Sequence, residues 1–238
     1  MDASTASGIF TRLQQVGAVA PDASVSPTRG RAEWTERGLL LRLVLHRGPL
    51  GELTWVVFVG DPVLGRAFHD GGILALVALR RWSDPAQGDE LPWAWPTDEA
   101  SLAQVVAAFE VVLGRVRTFV PDRRALCGLL LAEEDVHWGG LVADLHGDRA
   151  ERLVRAIAIG MAANDDVILA AALGELDRAE AEAPADAPSA LRNHARFWAD
   201  QWTWQSGRQI VVPDELPRRL VPDRAGATEV GDFWDRVG

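Results

Sequence analysis

Between residues 39 and 46 the chain reads Leu-Leu-Leu-Arg-Leu-Val-Leu-His. Leu39, Leu41, Leu43 and Leu45 fall on one parity, and Leu40, Arg42, Val44 and His46 on the other. A period of two is that of a β-strand, whose successive side chains point to opposite faces. The period returns in ELTWVVFVG, where Trp55, Val57 and Val59 alternate with Thr54, Val56 and Phe58, and again in ILALVALRRW. HRGPLG is a turn between the first two strands, GDPVLGRAFHDGG reads as turns before the third, and RAEWTERG predicts a strand joined to the Leu-rich one by its own tight turn. Connections this short leave no room for crossover helices, so the expected sheet is antiparallel, with three to five strands. Apolar residues on both of its faces require a cover on at least one side.

The period changes to that of a helix on either side of the strands. Ile9, Phe10, Leu13, Val16 and Val19 predict a short amphipathic helix over residues 8 to 18, followed by the loop PDASVSPTRG. After the polar connector SDPAQGDELPWAWP, Thr97 or Asp98 caps a long helix with Leu102, Val105, Val106, Phe109, Val112, Leu113, Val116, Phe119 and Val120 on one broad stripe. Pro121 ends it, and Asp122 can cap RRALCGLLLA. EEDVHWGGLVADLHGD then reads as a polar loop between two helices. Asp148 caps DRAERLVRAIAIGMA in a carboxylate version of the capping box with Glu151, and Asn164 or Asp165 opens DDVILAAALGELDRAEAEA. PADAPSALRNHARFWADQWTWQSG predicts another capped helix and RQIVV a last strand.

This order gives an α+β fold, an antiparallel sheet in the N-terminal half packed against a helical layer from the C-terminal half. Residues 1–212 are expected to form one domain, with the helix and sheet in 8–96 and the helical layer in 97–205. Residues 213–238, rich in proline and charge, read as a tail.

Composition narrows the chemistry. The chain has 24 basic residues and no lysine, so every one is an arginine, and it has no tyrosine. Schiff-base catalysis, a phosphate-loop lysine, a Ser–Lys dyad and a tyrosine nucleophile are therefore excluded. A net charge of −10 disfavours the phosphate backbone of nucleic acid as a partner and suits a basic protein. The one cysteine, Cys127, lies in an apolar helical run and reads as core; it excludes an internal disulfide and any multi-cysteine zinc site. A start without a basic n-region, and the lack of an apolar run of about 18 residues, make the cytoplasm the expected location and no membrane the expectation.

The densest collection of ionisable groups is residues 133 to 148, with Glu133, Glu134, Asp135, His137, Asp144, His146 and Asp148. Glu134 and His137 form Glu-x-x-His, but a carboxylate-bridged di-iron bundle needs two such motifs, and none of the other four histidines has a glutamate three positions before it. A mononuclear site from His137, Asp144 and His146 is the alternative to helix caps and solvated acids, and the caps are the preferred reading. His69 and Asp70 belong to a turn. No Gly-x-Ser-x-Gly, His-Glu-x-x-His or glycine-rich phosphate loop is present. The expectation is therefore no catalytic residue, no metal ligand and no cofactor.

Ten tryptophans supply the positive signal. Trp198 and Trp202, four apart, are expected to dock their helix on the body. Trp93 and Trp95 in LPWAWP, Trp204, and Phe233 and Trp234 in the acidic GDFWDRVG are the candidate partner-binding residues, because exposed aromatics among acids and arginines resemble interface centres. The reading leans away from an enzyme. It expects a cytoplasmic protein that binds another protein, such as an immunity protein, an antitoxin-like partner or a dedicated chaperone. The alternatives are a small carboxylate- and His-based hydrolase or metal-dependent enzyme, and a structural subunit of a larger assembly.

Overall fold

The computed structural model describes residues 3–62, 77–81, 93–132, 136–138, 141–144 and 149–182. Helix α1 (Ala3–Gln15) leads to the short strand β1 (Ser24–Ser26), a 3-10 turn at Pro27–Arg29, and strands β2 (Arg31–Glu36), β3 (Leu39–Arg47) and β4 (Glu52–Gly60). Strands β5 (Val77–Arg81) and β6 (Trp93–Ala94) precede helices α2 (Glu99–Phe119) and α3 (Arg123–Leu131). A hairpin, β7 (Val136–Trp138) and β8 (Leu141–Asp144), is followed by helices α4 (Arg149–Ala163) and α5 (Asp166–Glu182). The fold is α+β, as its alternation of periods requires.

Among the described residues all strand pairings are antiparallel, and they form an eight-stranded sheet in the order β1-β2-β3-β4-β5-β8-β7, with β6 also pairing with β4. Arg37 and Gly38, both at positive φ, make the two-residue turn between β2 and β3, the geometry that matches the twist of the flanking strands. The sheet reaches beyond the N-terminal half because residues 136–138 and 141–144, expected within a polar loop, are strands. Val-His-Trp and Leu-Val-Ala carry β-branched and aromatic residues around Gly139 and Gly140, a hairpin pattern that the surrounding acids obscured. β8 pairs with β5, Leu79 opposite Ala143, and so joins the hairpin to the sheet.

Parity decides what the sheet buries. Leu39, Leu41, Leu43 and Leu45 of β3 share the core with Leu53, Trp55, Val57 and Val59 of β4 and with Ile9, Phe10 and Leu13 of α1. The α2 stripe closes over them, its Phe109 meeting Trp55 edge-on at 6.0 Å between ring centroids. On the other face Leu40, Val44, Val56 and Phe58 are half-buried and lie outside that core. Among them Arg42 is only 7% exposed and binds Glu33, Nε to Oε2, at 2.6 Å.

The helix ends follow local chemistry. α1 begins earlier and stops earlier than its periodicity suggests. The amides of Gly17 and Ala18 turn back onto the carbonyls of Gln14 and Leu13 and close it. Asp98, not Thr97, caps α2 in a reciprocal box with Ser101, and the Asp122 carboxylate accepts the Ala125 amide at 2.9 Å to cap α3. Asp165 caps α5 through the amides of Val167 and Ile168, while Asn164 takes a positive φ in the turn before it. In that α4–α5 hairpin a Cβ on Gly160 would lie 2.9 Å from Leu169 Cγ and 3.0 Å from Ile168 Cγ2. Replacing Gly160 by Ala should therefore lower stability by about 1–2 kcal/mol in urea unfolding, overpacking outweighing the helix propensity of alanine.

Arginines fasten these helices to the sheet and to each other. Arg117 at the end of α2 donates to both Glu36 oxygens, at 2.9 to 3.1 Å, and to the carbonyl of Ala18 at 2.8 Å. Burial acts to raise the Glu36 carboxyl, but the hydrogen bonds and charge of Arg117, with Trp34 and Arg37, outweigh it and hold the group below the ordinary carboxylate value. Stability from a depressed carboxyl is present above its unfolded value and is lost as pH falls through its folded one. Glu36→Gln should cost about 1–2 kcal/mol at neutral pH, and the gap to the parent protein should narrow below about pH 4 in acid titrations followed by circular dichroism.

Candidate functional site at the hairpin end of the sheet

The most exposed large apolar side chain among the described residues is Leu50, 94% accessible at the tip of the β3–β4 hairpin. The local sequence holds it there. In His-Arg-Gly-Pro-Leu-Gly-Glu the Gly48 amide donates to the Glu52 carbonyl at 2.9 Å and the Gly51 amide to the Gly48 carbonyl at 3.1 Å. The Glu52 carboxylate folds back under the turn and accepts the Leu50 amide at 2.9 Å. It occupies the space where a side chain at position 48 would begin, so this arrangement needs a glycine there. Pro49 beside it is exposed as well. A closed turn therefore presents an apolar knob to solvent.

Three features surround that knob. β6 runs along the base of the hairpin, with Trp93 opposite Leu53, Ala94 opposite Glu52, and the Trp95 amide on the Gly51 carbonyl at 2.7 Å. Exposed His46 and Arg47 end β3. Arg29, exposed, and Arg31, half-buried, lie where the neighbouring strand begins, the Gly30 carbonyl between them accepting the Leu45 amide at 2.7 Å.

The candidate residues are distributed unevenly. Trp95 is 4% exposed and part of the hydrophobic core, so its expected partner-facing role is corrected: the indole wedges into the protein interior. Its Nε1 is buried without a hydrogen-bond partner. Trp93 stands in the neighbouring strand at the hairpin base. Trp204, Phe233 and Trp234 lie outside the described residues, as do Trp198, Trp202 and the segments 63–76 and 183–238.

Of the ionisable groups singled out for chemistry, His137 and Asp144 are among the described residues, and the register makes them diagonal neighbours on one face of the β7–β8 hairpin. His137 pairs with Val142 across the β7–β8 hairpin and Asp144 pairs with Ala78 of β5, while Glu133, Glu134, Asp135, His146, Asp148, His69, Asp70 and His194 lie outside the described residues. Among the described residues no group of three or more His, Cys, Asp or Glu is placed to hold a metal ion. Cys127 is buried; desolvation, with the charges of Asp61 and Asp165, pushes its thiol far up, away from the reactive thiolate. The carboxylates with lowered values, Glu36, Asp98 and Asp165, serve an arginine clamp or a helix cap. No helix of the described residues is long and apolar enough to cross a membrane.

The chain matches no family model, and it resembles none of the curated proteins and none of the solved structures closely enough to count as a match. The Leu50 tip went unremarked because HRGPLG reads simply as a turn. Its signal was an aliphatic residue where turns ordinarily carry Asn, Asp or Ser. Gly48→Ala tests how the tip is held. A methyl group should expel the Glu52 carboxylate and raise hydrogen exchange at the Leu50 amide several-fold, with global stability changed by less than about 1 kcal/mol because the displaced group is a flexible side-chain end.

Proposed function

We propose that this chain is a non-catalytic protein-binding protein of the cytoplasm, acting as an immunity protein, antitoxin-like partner or dedicated chaperone does, and that it meets its partner with the hairpin end of the sheet. The observation that supports this reading is Leu50, an aliphatic side chain held at 94% exposure by a turn closed through its own hydrogen bonds. Exposed apolar residues are ordinary when scattered, but ordering one on a rigid tip serves no purpose in the core. A preordered apolar anchor is what a binding surface uses to limit the entropy lost on association. Trp93, whose backbone pairs at the base of the same hairpin, and Trp204, Phe233 and Trp234 remain candidates for the partner's contact. The described carboxylates and arginines are largely spent on caps and clamps, which favours binding over catalysis.

A photoreactive benzoylphenylalanine placed at position 50 should give one dominant crosslinked protein in the producing cells. The same group at position 111, on the outer side of α2 where Val111 is 50% exposed, should not. Leu50→Asp should abolish co-purification of that protein with an unchanged melting temperature. Adducts of equal pattern at both positions, or none at position 50, would overturn the reading.

A further inference from the structure

We propose that the hairpin end of the sheet docks an acidic protein surface, with Arg29, Arg31 and Arg47 gripping carboxylates around a pocket that receives Leu50. This rests on the protein-binding reading and adds the chemistry of the partner. It also reverses the first expectation from net charge, which favoured a basic one.

The distribution of arginine partners carries the inference. Every arginine on the helices whose side chain is described has a protein partner: a carboxylate, a helix-end carbonyl, or a further interaction in the case of Arg115 and Arg155. In the strands Arg42 is bound to Glu33, and at the β2–β3 turn Arg37 faces Glu36. Among the arginines whose side chains are described, Arg29, Arg31 and Arg47 are those without a hydrogen bond or ion pair. All three lie at one end of the sheet.

The backbone register brings them to the same end of the sheet, with Arg31 on the face of Val44 and Arg47 on the face of Leu45, so that they flank the hairpin from its two sides. Arg31 is opposite Val44, so it and His46 are diagonal neighbours on one face, about 7–8 Å apart. Arg29 closes the 3-10 turn just before β2, and Arg47, opposite Leu53, is the last residue before the tip. The nearby carboxylates among the described residues are engaged: Glu33 holds Arg42, and Glu52 holds the Leu50 amide. Among the described residues of a protein of net charge −10, this end thus carries arginines that hold no carboxylate.

Guanidinium groups pair with carboxylates and phosphates in two-pronged geometry. The apolar knob at the tip beyond them selects between these. A phosphate backbone offers nothing to bury Leu50, whereas an acidic protein surface with an apolar pocket satisfies both parts, a desolvated anchor and a charged rim.

The test uses the full chain and a synthetic amphipathic helix of leucine and glutamate as the probe. Its lysine counterpart, a short DNA duplex and phosphatidylserine vesicles serve as competing arms. The leucine–glutamate helix should bind, more weakly as salt rises. Arg31→Glu with Arg47→Glu should weaken it about tenfold, as should Leu50→Ala, while Arg178→Ala on α5 leaves it unchanged. Both hairpin-end variants should keep the parent melting temperature, and the charge reversal should lower the position-50 crosslink in cells. Equal binding of the lysine helix, tighter binding of DNA or vesicles, no binding of the acidic helix, or no effect of the charge reversal would each overturn the proposal. If any of these occurs while the position-50 adduct still forms, only the acidic partner falls. Loss of that adduct removes the protein-binding reading itself.

Discussion

The guanidinium of Arg117 reaches three parts of the chain at once: the end of its own helix, the carboxylate of Glu36 at the end of β2, and the carbonyl of Ala18 beyond α1. That one contact sets where the helical layer lies on the sheet. A planar, forked donor is suited to this, because both carboxylate oxygens and a carbonyl can be satisfied together at partial burial. The device recurs along the chain. Arg123 pairs with Asp61, whose side chain is 1% exposed, and ties α3 to the end of β4. Arg124 reaches Asp165 at the α4–α5 turn, and Arg152 donates to the carbonyls of Leu130 and Ala132 where α3 ends. A chain without lysine makes all its cationic contacts with the residue best able to tie several elements, and those elements then leave little freedom for sliding.

Much of this architecture was legible along the chain because it depends on local rules. The alternation in Leu39–His46 and Glu52–Gly60 fixes which residues face the core, and a one-residue slip would expose all of them. The caps at Asp98 and Asp122 were legible for the same reason, since a short acceptor before a helical run has few other uses. The hairpin of Val136–Trp138 and Leu141–Asp144 was not. Its strands are too short for periodicity to outweigh the acids beside them, and their pairing partner β5 lies some sixty residues earlier. The prolines around Trp95 leave it open between a wedge under the long helix and a place on the surface, and the structure buries it. Its depth comes from the hydrogen bond of its amide to Gly51, a contact between elements distant in sequence.

The candidate surface was less legible still, for a different reason. Whether an arginine is free is a property of the tertiary structure. Arg42 and Arg47 are five positions apart on the same strand, yet Arg42 is enclosed with Glu33 and Arg47 stands in solvent. Neither spacing nor composition separates the two. Leu50 carried a faint local signal, an aliphatic residue in a turn, but the hydrogen bond that closes the turn comes from the Glu52 carboxylate folding beneath it.

Net charge and local charge act differently on association. An overall charge of −10 repels an acidic partner at long range, and salt screens that repulsion within about 8 Å at physiological ionic strength. At contact the local field governs, and at the hairpin end the described side chains without a partner charge are arginines. In the docking proposed here, an acidic partner is disfavoured by the overall charge and accepted where Arg29, Arg31 and Arg47 stand. The same charges that would slow encounter thereby restrict its orientation. Burial of Leu50 then supplies affinity that does not depend on salt, so binding should retain an apolar component after its electrostatic part has been screened away.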